Sequence, residues 1–314
     1  MLHTMIKTKL NLRYSYSFLI LCFFCKSNAQ QEIQNSLYMF NPSILNPAYV
    51  GTKNALSAVL DYRQQWFKWD GAPKTIMLSL HSPLKKTAIS LGFNLVNDKI
   101  GSTRNTAFYG DIGYRIRLNR KKDYLSFGIR TGIDYYTANL NKLIVTDTDD
   151  AAQSTNNITT TLFNAGAGIY YYGKKHYIGL TVPKLVQNNK MSINNFSSKQ
   201  ILHYYFLAGY AFKLNSMLTF KPSMQLKYTK NAPLGVDLNA SFFIVDRLWI
   251  GGVYRHKAAV GINLLIYLTD VLYVGLANDF TTTSMSNVSL HTNEIMIGFD
   301  LKKSKNGFIT PRYF

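Results

Sequence analysis

The chain of 314 residues is 47% hydrophobic and 14% aromatic but only 16% charged, with 35 Lys and Arg against 16 Asp and Glu and a formal net charge of +19. So much apolar and aromatic surface excludes a disordered chain, which needs low hydrophobicity and high charge density. A mean hydropathy of −0.07, with no uninterrupted run of about 18 to 20 apolar residues after residue 25, excludes a bundle of membrane-spanning helices.

The amino terminus reads as an export signal. His3, Lys7, Lys9 and Arg13 precede a short apolar stretch from Phe18 to Cys25, and Ser27-Asn28-Ala29 then offers small residues for cleavage. Residues 1–29 are expected to be a secretory signal peptide; the alternative, a membrane anchor, needs a longer apolar core. Cys22 and Cys25 both fall inside this segment, so neither disulfides nor thiolate metal sites are expected in the exported chain. Removing the segment takes away Lys7, Lys9, Arg13 and Lys26 but no acid, leaving a basic protein suited to lipid headgroups or an acidic partner. Nucleic acid is excluded as a partner, because the chain is exported and its positive charge is dispersed.

Residues 30–54 follow. Two Asn-Pro turns, Asn41-Pro42 and Asn46-Pro47, prevent regular helix or a central strand. Leu37, Tyr38, Met39, Phe40, Ile44, Leu45 and Tyr49 make the segment too apolar for a solvated tail.

From there a period of two runs along the chain. Phe108, Ile112, Tyr114 and Ile116 alternate with Tyr109, Asp111, Gly113 and Arg115, and Leu218, Phe220, Met224 and Leu226 alternate with Thr219, Lys221, Ser223 and Gln225. The pattern predicts about fourteen strands, near 55–62, 73–81, 87–97, 105–118, 123–136, 160–173, 176–183, 201–214, 216–228, 234–245, 247–256, 258–268, 271–280 and 293–302. Every second connection is tight: Ser82 to Lys86, Asn119 to Lys122, Gly173 to Lys175, Asn215, Asp246 and Thr269-Asp270. The others, near 63–72, 98–104, 137–159, 184–200, 229–233 and 281–292, are longer and polar, with only Arg255 to Lys257 short.

Tight turns on one rim and long loops on the other is the form of an integral outer-membrane, antiparallel up-and-down β-barrel. Only a closed sheet can place this much strand in hydrocarbon, where each unpaired backbone group costs several kcal/mol. The all-β barrel is therefore assigned to residues 55–314, with Arg115, Arg130, Asp134, Lys221 and Asp237 on its lumen face. A soluble sandwich is the competing architecture, and it has no reason to alternate loop length. A fourteen-strand barrel is too wide for its own side chains to fill. Residues 30–54 are expected to act as an N-terminal plug-like segment, through Phe40, Asn41, Pro42, Asn46, Pro47, Tyr49 and Gly51.

Chemistry-bearing motifs are sparse. Gly168 to Lys175 imitates a phosphate loop, but three tyrosines fill it as a strand and Lys175 stands where the hydroxyl is needed. Asp147-Thr148-Asp149-Asp150 lacks the turn glycine and terminal Glu of a calcium loop. The histidines are scattered, with no catalytic pairing, so no enzyme, metal or cofactor is expected. Candidate partner-binding residues lie on the long loops: Trp66, Trp69 and Asp70 in the first, Asp147, Asp149 and Asp150 in 137–159, and Lys184 and Lys190 in 184–200. A membrane-interface girdle is an equally open role for the two tryptophans.

Phe40-Asn-Pro with Asn46-Pro-Ala-Tyr-Val-Gly51, Gln65-Trp66 with Asp70-Gly-Ala-Pro73, Asn97-Asp-Lys-Ile-Gly101, Glu294-Ile-Met-Ile-Gly298-Phe299 and Pro311-Arg-Tyr-Phe314 stand in this order along the chain. Together they resemble the PorP/SprF family of Bacteroidetes outer-membrane proteins. Val50, Phe67-Lys68 and Asn293 depart from the family's usual residues. The resemblance implies an outer-membrane component of the type IX secretion system that exports or retains particular surface cargo, such as large adhesins used in gliding motility. It implies periplasmic and lipoprotein partners from the same machine, and outer-membrane lipid around the barrel. An outer-membrane porin or solute channel is the alternative function.

Overall fold

A computed structural model of the chain describes residues 34–120, 122–139, 157–193, 196–287, 289, 291–301, 303–304 and 307–308. The expected signal peptide, 1–29, lies outside the described residues. Fourteen strands follow one another around the wall: β1 Leu56–Gln64, β2 Lys74–Pro83, β3 Ile89–Ile100, β4 Thr103–Arg117, β5 Tyr124–Ala138, β6 Ile158–Tyr172 and β7 His176–Val182. They continue as β8 His203–Tyr210, β9 Leu218–Thr229, β10 Gly235–Ile244, β11 Leu248–Arg255, β12 Ala259–Tyr267, β13 Leu272–Thr281 and β14 His291–Leu301. Each pairs antiparallel with its sequence neighbours, and β1 closes the ring on β14 from Leu56↔Leu301 to Gln64↔Asn293. A two-residue strand, Phe212–Lys213, extends β8 along β9, and a hairpin of Asn189–Ile193 with Phe196–Lys199 stands on the β7–β8 connection.

Alternation decides which side each residue faces. Leu60, Leu80, Leu91, Ile112, Ile129, Phe163, Leu180, Tyr204, Tyr228, Leu238, Ile250, Ile262, Leu276 and Ile297, one from each strand, are exposed on the outside. Asp61, Ser79, Asn94, Asp111, Arg130, Asn164, Lys221, Asn239, Asn263, Asp279 and Glu294 are buried on the inside. A sheet with its apolar residues outside and its charges inside is stable only with lipid around it. Ile129, 62% exposed, sits midway along the apolar face of β5. Ile129→Arg is expected to cost roughly 2 to 4 kcal/mol and Thr137→Arg, near the strand end, about 1 kcal/mol or less, read as urea midpoints in vesicles.

The tight connections form one rim, at 84–88, 118–123, 173–175, 214–217, 245–247 and 268–271. One expectation changes. Residues 98–104 are not a long loop, since β3 runs to Ile100, β4 starts at Thr103, and Gly101-Ser102 turns between them with Gly101 at φ 53°.

Candidate functional site

The inward face of the wall is met by residues 34–55, which run from the long-loop rim to the tight-turn rim before entering β1. Two Asn-Pro steps shape the segment: each proline starts a 3₁₀ turn, Pro42–Ile44 and Pro47–Tyr49, and Asn46 Oδ1 caps the second by accepting from Ala48 N–H at 2.9 Å.

At the long-loop end, the Glu294 carboxylate accepts from the Ser36 and Leu37 N–H groups at 2.8 and 2.9 Å. Arg63 donates to Glu294 at 2.8 Å and to Ser36 Oγ at 2.7 Å, and Ser36 Oγ donates to Asp279. Arg255 bridges Asp279 and Asp237, and Asn35 donates to Asp61 at 2.9 Å. Below this cluster Leu37 packs with Met296 and Leu265, and Phe40 meets Trp249 edge-on at 6.0 Å.

In the middle, Arg130 is the principal anchor. It grips Asp111 through two nitrogens at 2.7 and 2.8 Å and donates to Ser43 O and Ile44 O, both at 2.6 Å. A hydrogen-bond chain completes the attachment: Asn41 Nδ2 to Ser79 Oγ, Ser79 Oγ to Asn94 Oδ1, Asn94 Nδ2 to Asp111 Oδ2. Tyr49 packs edge-on against Tyr170 and His81.

At the tight-turn end, Lys53 is buried against Asp300 at 3.0 Å and donates to Tyr273 Oη at 3.2 Å. Gly51, at φ 78°, donates to His81 Nδ1 at 3.3 Å, and Arg115 reaches Gly51 O and Asn54.

One feature of this seat has no counterpart in the strand pattern. Gly113, Gly128 and Gly168 face one another in register across β4, β5 and β6. A Cβ at these positions would stand 2.7 Å from Val50 Cγ2, 2.2 Å from Ala48 N and 2.1 Å from Asn46 Oδ1. The three glycines form a bare track that lets residues 46–50 lie directly on the wall. Two cavities beside the segment, of about 60 Å³ by Ile44 and Tyr109 and about 80 Å³ by Asn35 and Arg255, leave room for a few waters.

The structure thus brings Phe40, Asn41, Pro42, Asn46, Pro47, Tyr49 and Gly51 together against the wall. Trp66 and Trp69 lie on a different feature, the 65–73 turn at the long-loop rim, with their rings 5.8 Å apart and Asp70 exposed beside them. That turn is fixed by Phe67 N–H to His291 O at 2.8 Å and Gly101 N–H to Gly71 O at 2.8 Å. Lys184 points inward to Asp134 at 3.3 Å, rather than standing free on its loop. Asp147, Asp149 and Asp150 lie outside the described residues; Lys190 is on the strand Asn189–Ile193, and its side chain is outside them. Among the described residues no group of three or more His, Cys, Asp or Glu is placed to hold a metal ion.

Residues 27–299, which include the whole lumen segment and the wall to within two residues of the end of β14, match the family described as type IX secretion system membrane protein PorP/SprF. The chain belongs to the PorP/SprF family. This PorP/SprF protein is therefore a type IX secretion component, and its closed lipid-facing barrel places it in the outer membrane. No curated protein sequence matches it. Solved barrels that it is similar to include Omp33 of Acinetobacter baumannii, at 9% identity, TM-score 0.42, covering 80% of this chain and 99% of that one. Others are the CymD monoaromatic hydrocarbon channel, at 11%, 0.49, 85% and 92%, and the Ralstonia pickettii toluene transporter TbuX, at 9%, 0.47, 85% and 93%. Nothing about the work of this PorP/SprF protein follows from likenesses of that order.

Proposed function

We propose that this outer-membrane protein exports, or holds at the cell surface, particular cargo proteins of the type IX system, large adhesins of the gliding kind among them, and has no catalytic role. Residues 1–29 direct it across the inner membrane. Residues 34–55 act as a plug, so the barrel serves cargo at its rim rather than conducting solutes. The observation that carries this reading is the attachment of that segment to both halves of the wall, through Glu294 and Arg63 on one side and Arg130 and Asp111 on the other. A segment lying across the lumen stands in the path that a freely diffusing solute would take.

Cargo meets the long-loop rim at Trp66 and Trp69. Trp66 holds left-handed backbone at φ 48° and Lys68 at φ 73°, a conformation that costs a bulky residue roughly 1 to 2 kcal/mol. Strain kept in a pinned aromatic turn supports a binding role there. Trp66→Ala with Trp69→Ala is expected to release the cargo into the medium while the barrel stays in the membrane, on the order of 2 kcal/mol being lost for each buried anchor. Cell-surface proteomics of this variant and of the deletion strain checks it. One or a few surface proteins should vanish with small-solute uptake unchanged, and the reverse pattern would favour the porin reading.

A further inference from the structure

Among the six tight turns, unbalanced positive charge is confined to three consecutive ones. The 84–88 turn carries Lys85 and Lys86, the 118–123 turn Arg120 and Lys122 with Arg117 at its base, and the 173–175 turn Lys174 and Lys175, all exposed. These three turns are consecutive around the barrel, joining β2 through β7. Their one acid among the described residues, Asp123, is turned back on the turn, accepting from Asn119 Nδ2 at 2.6 Å. At the other three turns, Arg247 and, at the base of the first, Lys213 are balanced by Asp246 and Asp270.

Lipid surrounds a barrel equally on every side, so attraction to headgroups gives no reason for a one-sided arc. Exposed Leu84 and Leu118, with Leu214, Met217, Val245 and Leu268 on the other side, mark the apolar edge of this rim all the way round. The lysines lie beyond that edge, at the turn tips. Arg117 also donates to Asn119 O at 3.0 Å and Arg120 O at 3.1 Å, which stiffens the turn that carries Arg120 and Lys122. In outer-membrane barrels the tight turns face the periplasm.

We infer that the arc of turns from β2 to β7 is a docking face for the acidic surface of a periplasmic protein. Charges of one sign held on rigid neighbouring turns act together in steering such a partner and fix its orientation. The inference needs only the orientation of the barrel and is independent of how cargo is handled.

A photo-crosslinking residue at Thr87, inside the arc, and at Ser216, opposite it, tests this in intact cells with the full-length protein. Thr87 should yield an adduct whose partner peptide, sequenced by mass spectrometry, is rich in Asp and Glu, and Ser216 should not. Reversing Lys85, Lys86, Lys174 and Lys175 to Glu should lower that yield on the order of tenfold, with heat-modifiable migration unchanged. Charge reversal in the partner peptide should restore it. A phospholipid adduct alone at Thr87, equal yields at both positions, or a yield indifferent to charge reversal would overturn the inference.

Discussion

Gly128→Val is expected to drive residues 46–50 off the wall and open the lumen. The new Cβ would lie 2.2 Å from Ala48 N and 2.3 Å from Pro47 C, so the obstruction is backbone and no rotamer relieves it. The 3₁₀ turn Pro47–Tyr49 cannot shift alone, because Asn46 is tied to Ile169 O and Tyr49 is enclosed by Tyr170 and His81. Overpacking of this kind costs about 1 to 3 kcal/mol even where the surroundings yield. Because the obstruction is backbone, residues 46–50 have to lift from the wall, and the barrel ladders do not depend on them. Cells carrying the variant should become sensitive to vancomycin, which a filled lumen excludes, while the protein still reaches the membrane. Gly110→Val is the control: Gly110 faces outward, and the nearest atom to a Cβ there, Thr131 O, is 4.0 Å away. It should change nothing.

Arg130→Met should be the most destabilising single change within the lumen. It leaves the Asp111 carboxylate, 1% exposed, without its cation and strips Ser43 O and Ile44 O of their donors. Removing one partner of a buried ion pair typically costs about 3 to 5 kcal/mol, most of it the penalty of the charge left behind. The double variant Arg130→Met with Asp111→Leu should therefore recover a large part of the loss, although the two carbonyls stay unserved. Urea midpoints of the folded barrel in vesicles measure both. A single variant no less stable than the double would show that Arg130 is solvated rather than an anchor.

Period two was sufficient to find the fourteen wall strands and their phase, whereas the hairpin of Asn189–Ile193 with Phe196–Lys199 reads as loop. Arg115, Arg130, Asp134, Lys221 and Asp237 all turn inward as their alternation requires, because a side chain's face follows from the pleat alone. The pattern fails where both faces are wet. Asp98, Lys99 and Arg104 look like loop because β3 and β4 project past the lipid belt, and there nothing selects apolar residues on the outside. Pairings between distant residues are equally invisible in one dimension: Lys184 reads as a solvated loop lysine, and only the closed barrel brings Asp134 to it. The glycine track is the clearest case. Gly113, Gly128 and Gly168 each read as a weak point in a strand, and their common purpose appears only when register sets them side by side. The segment's composition announced that it packs against something, whereas Glu294 and Arg130 as its holders could be named only from contacts across the lumen.

Planar-bilayer conductance of the purified wild-type barrel tests the central claim most directly. A lumen closed by residues 34–55 should hold the protein silent over long recordings, with steady channels appearing only when the seat is broken by Gly128→Val. Steady ohmic conductance from the wild type, matched by the variant, would contradict the plug and leave a solute pore as the better account.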